Sequence, residues 1–357
     1  PLDAAPARPY PPPMTQDDWW RPHRHDARRP LLHARARLLR ALRDWLHGAG
    51  FLEADVSALA LSPGNEAHLH AFATLARDPD GAERRLFLHT SPEFALKKLL
   101  AAGEPRLFSL GHVWRNRERG PLHHPEFTML EWYRAREPYE SVQADALHVL
   151  RLAADAAGSR SLRWRGAACD PFADAERLTV AEAFAAHANL DLLATLAPDG
   201  TPDAAALRAR MARAGLRAAP DDTWSDMVSK ALTRVEPHLG LGRPTILDRY
   251  PAAEAALARR CPDDPRVAER FELYACGVEL ANGFGELTDA AEQRRRFVLE
   301  MDEKERVHGE RYPLDESLLA ALSLMPPASG CALGLDRLLV LATGAPRIAD
   351  VLWAPVP

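Results

Sequence analysis

The sequence predicts an α+β fold, an antiparallel sheet flanked by helices. Three observations carry this. Two long strand-like runs, "RLFSLGHVWRN" (106–116) and "EFTMLEWYRA" (126–135), are joined by the charged loop "RERGPLHHP", the pattern of an antiparallel hairpin. Strands and helices do not alternate in a β-α-β rhythm, which disfavours a doubly wound sheet. Neither G-x-x-x-x-G-K-[ST] nor G-x-G-x-x-G occurs.

The elements run in order along the chain. Residues 1–30 are rich in Pro and Arg, lack periodicity and read as an irregular arm, which Trp19 and Trp20 can pin to the body. A helix is predicted over 31–47, where Leu38, Leu42 and Trp45 fall on one face and "GAG" ends it. "FLEADV" (51–56) and "RLFLH" (85–89) read as strands. "TSPEFALKKLLAAG" (90–103) reads as a helix with Ser91 as N-cap, Pro92 at its first position and Gly103 at its stop. A helix is expected over 139–158, and Ala-rich residues 170–225 read as a small helical insertion. "PTILDRY" (244–250) and "RFELYACGVELANGF" (270–284) are strands, 290–309 a charged helix and 316–325 a shorter one. This divides the chain into an arm, 1–30, and one domain, 31–357, with an insertion near 170–240.

Composition fits that reading. A chain of 357 residues, 47% hydrophobic and 27% charged, can bury one large core. The net charge of −5 restricts any polyanion site to a local patch. Cys169, Cys261, Cys276 and Cys331 show no C-x-x-C spacing and read as reduced thiols of a cytoplasmic protein. No apolar run approaches the roughly 18–20 residues of a membrane span, and no secretory signal opens the chain.

Four segments can carry chemistry, each with a plainer alternative. The hairpin loop gathers Arg115, Arg117, Arg119, His123 and His124 beside Phe127. Arginines grip phosphate bidentately and an aromatic face stacks on a purine, but a solvated hairpin tip looks similar. Glu131 and Tyr133 share a strand face and either bind an ammonium or line a core edge. In "GVELANGFGEL" (277–287), Glu279 and Glu286 flank Asn282 on an apolar strand. Buried carboxylates want a cation, a metal or an amine, unless these are exposed strand ends. Asn282 and Glu286 share a face; Glu279 joins them only through a bulge, expected at Gly283 or Gly285. Glu93 of "TSPE" either projects into a pocket or merely opens a helix. In "GCALGLDRL" (330–338), Gly334 and Arg337 either meet a phosphate or form an ordinary strand-to-helix connection.

Taken in order, TSPE, R-N, H-x-P-E-F-T-M-L-E-W-Y, G-x-E-L-x-N-G-F-x-E-L and G-x-A-L-G-x-D-R resemble the catalytic core of class II lysyl-tRNA synthetases over roughly residues 31–355. Arg115 to Phe127 looks like motif 2 of that class, Gly334 to Arg337 like motif 3, and residues 34–56 stand where motif 1, the dimer element, belongs. The synthetases carry an N-terminal OB-fold that grips the anticodon, and about 30 residues are too few for its five strands. The chain more closely resembles their stand-alone paralogues, the elongation factor P–(R)-β-lysine ligases, which have Ala where the synthetases have Gly at position 332. The rival readings are a truncated synthetase charging tRNA and a catalytically silent regulatory module.

The resemblance implies a class II synthetase-like sheet, a homodimer, ATP and Mg²⁺, (R)-β-lysine and elongation factor P as substrates, and no tRNA or membrane partner. Arg115 would hold the α-phosphate, with Asn116, Arg117, His124, Leu280 and Gly334 around the nucleotide. Phe127 would stack on adenine, and His123 and Arg337 would hold the β/γ end. Glu279 and Glu286 would bind Mg²⁺. Glu286, Glu131 and Tyr133 would take the ε-ammonium, Ser91, Pro92 and Glu93 the second amine, and Asn282 the carboxylate. Ala332 would crowd an α-amino group and tolerate a β-amino group. Three positions depart from the pattern: Ser57 replaces the motif 1 Pro, Arg117 the motif 2 Glu, and His124 an Asn. Glu118 follows Arg117, but strand alternation would turn it to the other face.

Overall fold

The computed structural model describes residues 18–356. Its first helix, α1, spans Pro22–Gly48 and buries Leu32, Leu38, Leu42 and Leu46. Of the arm expected over 1–30, residues 1–17 lie outside the described residues; from Pro22 the chain is helical rather than irregular. Pro22 sits at the helix start, where a missing N–H costs nothing, but Pro30 lies inside. Tertiary anchors offset it. Arg28 donates to the backbone carbonyls of Ala349, Asp350 and Leu352, and Arg35 ion-pairs with Asp336.

Strand β1 is only Leu52–Glu53, shorter than the expected 51–56. β2 (Leu59–Ala60), β3 (Ala73–Arg77) and β4 (Glu83–Leu88) form a small sheet of order β2-β4-β3. Helix α2 spans Glu93–Ala102 and stops at Gly103, which takes a left-handed conformation (φ 113°). Pro92, not Ser91, holds the cap position. Ser91 Oγ still accepts from Glu93 N at 3.0 Å, but it donates to Glu131 at 2.7 Å, which draws it toward the sheet.

β5 (Arg106–Trp114) and β6 (Glu126–Ala135) form the expected hairpin, in register from Arg106↔Arg134 to Trp114↔Glu126. α3 (Tyr139–Ala157) and the short hairpin β7 (Leu162–Trp164) and β8 (Ala167–Cys169) come next. The insertion comprises β9 (Glu176–Thr179), α4 (Val180–Ala188), α5 (Ala204–Arg213) and α6 (Trp224–Val235). Its Phe184, Met211, Trp224 and Met227 form a second buried cluster together with Leu247, Tyr250 and Tyr274 of the strands that follow. β10 (Thr245–Pro251), β11 (Val267–Ala275) and β12 (Val278–Gly285) return to the main sheet. α7 (Ala290–His308), α8 (Glu316–Leu322), β13 (Ala328–Gly334) and α9 (Leu335–Thr343) complete the chain.

The eight-stranded sheet has order β1-β5-β6-β13-β12-β11-β10-β9. It is antiparallel from β5 to β10, with parallel pairs only at its two edges. The sequence reading did not assign β13, which occupies the centre. Its "ASGCALG" is poor in β-branched residues because its neighbours leave no room: a Cβ at Gly330 would lie 2.3 Å from Tyr133 Cε1 and 2.5 Å from Glu286 Oε1. Alternation sorts the two faces. Leu130, Trp132, Phe271, Leu273, Cys331 and Leu333 face the core beneath α1, α3 and α9. Phe127, Met129, Glu131 and Tyr133 therefore face the other way, toward the cleft and α2.

Candidate active site

One cleft on that second face gathers residues from four distant segments. Arg115, His123, His124 and Phe127 come from the β5–β6 hairpin, and Ser91 and Glu93 from the start of α2. Glu279, Leu280 and Asn282 come from β12, and Ala332, Gly334 and Arg337 from the β13–α9 junction.

At one end lie the cations. The Arg115 guanidinium sits 5.3 Å from the centre of the Phe127 ring, and its Nε donates to Thr90 O at 3.3 Å. Arg337 donates to Glu279 O at 2.7 Å and lies 3.0 Å from His123 Nε2. Burial, then Arg337, pushes the His123 pKa down, so the neutral ring accepts from the guanidinium. His124 lines the cleft but has no ring nitrogen to spare: Nδ1 bonds Glu126 O at 2.5 Å and Nε2 accepts from Val356 N at 3.2 Å. Its role here is to tie the hairpin to the C-terminal segment, not to donate to a nucleotide.

Asn116 and Arg117 stand outside the cleft lining. β5 ends at Trp114, and Arg117 takes φ 66°, so strand alternation no longer governs the residues after it. Arg117 turns out to Glu310 at 2.8 Å, while Glu118 lines the cleft. The expectation that Glu118 faces away is thereby corrected. Pro92, too, is absent from the lining.

β12 carries the bulge that the sequence required, at a different place. Leu273 pairs with Ala281 and Tyr274 with Glu279, leaving Leu280 as the extra residue and turning Glu279 to the face of Asn282. Gly283 and Gly285 serve close packing instead, since Cβ atoms there would lie 2.4 Å from Phe271 and 2.1 Å from Glu269. The same register sets Glu272 opposite Asn282, with Tyr274 OH donating to Glu272 at 2.7 Å. Burial, and then the Glu272 charge, raise the Glu279 pKa to about 7. The sequence reading missed Glu272. Pairing the two halves of 270–284 about the Cys276–Gly277 turn, both residues at positive φ, would have found it.

Beyond the cleft wall, a buried cluster holds Glu131, Tyr133 and Glu286. Ser91 Oγ and Tyr133 OH each donate to Glu131 at 2.7 Å. Lys97, also missed by the sequence reading, lies 2.5 Å from Glu93 Oε1 and 2.7 Å from Glu286 Oε2. Burial works against its ammonium, but Glu286 and Glu93 raise its pKa well above the usual value. Burial raises Glu131 to about 8, with Glu93 adding to it, and Glu286 to about 7, with Lys97 opposing. Glu286 Oε1 and Asn282 Oδ1 have no hydrogen-bond partner among the described residues. Ala332 stands between the two subsites: it pairs with Asn282 on β12 and with Glu131 on β6.

Glu286 does not fit the metal role expected of it, because its carboxylate already faces the Lys97 ammonium. Among the described residues no three His, Cys, Asp or Glu side chains are grouped to hold a metal ion. Glu279 lines the cleft with a part-exposed carboxylate 3.8 Å from Arg337 and fits a hard cation better, and Glu272 behind it shares its charge with Arg270 at 2.7 Å.

Comparisons with known proteins show the family. The family model described as tRNA synthetases class II (D, K and N) matches residues 16–356. The elongation factor P–(R)-β-lysine ligase of Pectobacterium carotovorum is 37% identical over 346 residues, 95% of this chain and 98% of the relative. That of Edwardsiella ictaluri is 39% identical over 325 residues, 89% and 92% of the two chains. That of Yersinia enterocolitica is 36% identical over 348 residues, 96% and 99%. The chain belongs to the class II tRNA synthetase family, within the group that contains these ligases.

Proposed function

We propose that the protein activates (R)-β-lysine with ATP and transfers it to a lysine side chain of elongation factor P. The observation that carries this is the position of the Ala332 methyl, in register between Asn282 and Glu131. On this reading a methyl there crowds the α-amino group of an α-amino acid and tolerates one moved to the β-carbon. The names of the relatives support the same reading.

In the first step a carboxylate oxygen attacks the α-phosphorus of ATP and pyrophosphate leaves. No protein nucleophile is needed, so positioning and charge neutralisation carry the rate. Arg115 holds the α-phosphate and carboxylate, Phe127 stacks on adenine, and Arg337 with His123 faces the leaving pyrophosphate. Mg²⁺, when bound, would screen phosphate charge, and Glu279 with Glu272 would hold it. Asn282 orients the carboxylate, while Glu286, Glu131, Tyr133, Ser91 and Glu93 take the two ammonium groups. In the second step the neutral amine of the partner's lysine attacks the adenylate carbonyl, an amide forms and AMP leaves.

The protein acts as a homodimer through the α1–β2 region, where Leu52, Leu59 and Leu61 are 53%, 49% and 66% exposed. Sedimentation of Leu59→Glu/Leu61→Glu as a monomer would support this; an unchanged dimer would exclude that face. Among the described residues no helix is long and apolar enough to cross a membrane. The test of function is ATP–pyrophosphate exchange with (R)-β-lysine beside α-lysine, followed by the mass of elongation factor P. Exchange with α-lysine alone, and charging of tRNA, would overturn the proposal.

A further inference from the structure

We propose that Lys97 is a positioning residue that sets how many positive charges the amine end of the site accepts. Its ammonium, clamped between Glu93 and Glu286, cancels one of three buried carboxylate charges and leaves room for two ammonium groups. The inference rests on the amino-acid reading above and assigns Lys97 a part in it.

The geometry separates Lys97 from an ordinary helix ion pair. It is 1% exposed and bridges two elements, Glu93 on α2 and Glu286 beyond β12. Its neighbour Lys98 makes the ordinary contact, a part-exposed pair with Asp315 at 2.6 Å. The third carboxylate, Glu131, receives only the neutral hydroxyls of Ser91 and Tyr133. Arg259, whose charge also reaches Glu286, is committed to Glu269 at 2.5 Å. Tyr133 and Glu286 fill the space above Gly330, where an added Cβ would lie 2.3 Å from Tyr133 Cε1 and 2.5 Å from Glu286 Oε1. Once Glu131 gives up its proton to an incoming ammonium, three carboxylates against one resident ammonium leave two charges to be matched, and Glu286 Oε1 lacks a hydrogen-bond partner among the described residues.

Removing the ammonium would leave buried carboxylates uncompensated, and these take up a proton rather than stay charged. A diammonium substrate must then expel that proton on binding. Lys97→Met should raise the KM for the diamino acid about tenfold near pH 7, the gap narrowing toward about pH 8.5, with the KM for ATP unchanged. Calorimetry in buffers of different ionisation heat should count about one more proton released on binding than in the wild type. Lys97→Gln, which keeps a donor for the carboxylates, serves if the Met variant does not fold, and Lys97→Arg should restore the wild-type proton count. An unchanged KM and proton count in the Met or Gln variant would overturn the inference, as would an equal loss of ATP affinity. A wild-type protein that activates neither lysine sinks the functional reading instead. Lys97 is then judged by potentiometric titration of the protein alone, where the Met variant should hold about one extra proton near pH 7 and an identical curve refutes the inference.

Discussion

Replacing Ala332 by Gly isolates a single methyl group. In the sheet its Cβ stands about 4.5–5.5 Å from those of Asn282 and Glu131, its partners on either side. If the methyl only adds contact to the bound substrate, its loss is worth about 0.8 kcal/mol, a factor of about 4. If it excludes an α-amino group sterically, the discrimination is about 1–3 kcal/mol, or roughly 10–200-fold. Gly within a strand also costs about 0.5–1 kcal/mol of stability, which affects both substrates equally. The informative quantity is therefore the ratio of kcat/KM for (R)-β-lysine and α-lysine in pyrophosphate exchange. The ratio should shift toward α-lysine by at least the smaller factor, with the gain in the α-lysine value. An unchanged ratio in a variant that shows the expected stability loss would refute the steric reasoning.

Other expectations rest on the same contacts. Glu286→Ala should abolish amino-acid activation while ATP still binds; equal loss of ATP binding in calorimetry would contradict the assignment. Glu118→Ala should slow pyrophosphate exchange more than Arg117→Ala, since only Glu118 lines the cleft; the reverse order would restore position 117 to the site. Arg35→Met leaves Asp336 buried with only the Thr128 amide at 2.6 Å, and should cost about 3–5 kcal/mol in urea unfolding. A loss under about 1 kcal/mol would show the pair to be dispensable. Glu131, raised to about 8, holds a proton that the unfolded chain has lost above its ordinary carboxylate range. The native state thus binds more protons in that window, and stability should fall as pH rises toward about 8. Thermal unfolding at about pH 5.5 and 8.5 checks this, and Glu131→Gln should flatten the difference; no flattening would remove Glu131 as its source.

What the sequence made legible was what local rules control. The 106–135 hairpin and the helices at 93–102, 139–157 and 290–308 announce themselves by periodicity, caps and glycine stops. Where neighbours decide, local rules fail. α1 begins nine residues before the expected start because Arg28 and Arg35 anchor it to the far end of the chain, past two prolines. β13 is built of small residues because Tyr133 and Glu286 demand them. The site divides in the same way. Arg115, His123, Phe127, Asn282 and Arg337 sit in recognisable motifs and meet in one cleft. Lys97 looks like one more helix lysine in the sequence, and Glu272 like one more strand carboxylate. Glu118 is misread when strand alternation is carried past Trp114, where β5 ends.

The central place of β13 has a consequence for how the molecule is made. Among the described residues the last strand in chain order is the one that joins β6 to β12. Until residue 328 emerges, the nascent chain is two half-sheets, each ending in a row of unpaired amides and carbonyls. Each end of the site draws on both pieces, Arg115 and Glu131 on the first and Glu279 and Glu286 on the second, so nothing short of both pieces and β13 brings the site together. A prematurely terminated product would therefore be inactive and would expose two adhesive edges. The emergence of β13 thus both completes the candidate site and seals the two edges between β6 and β12.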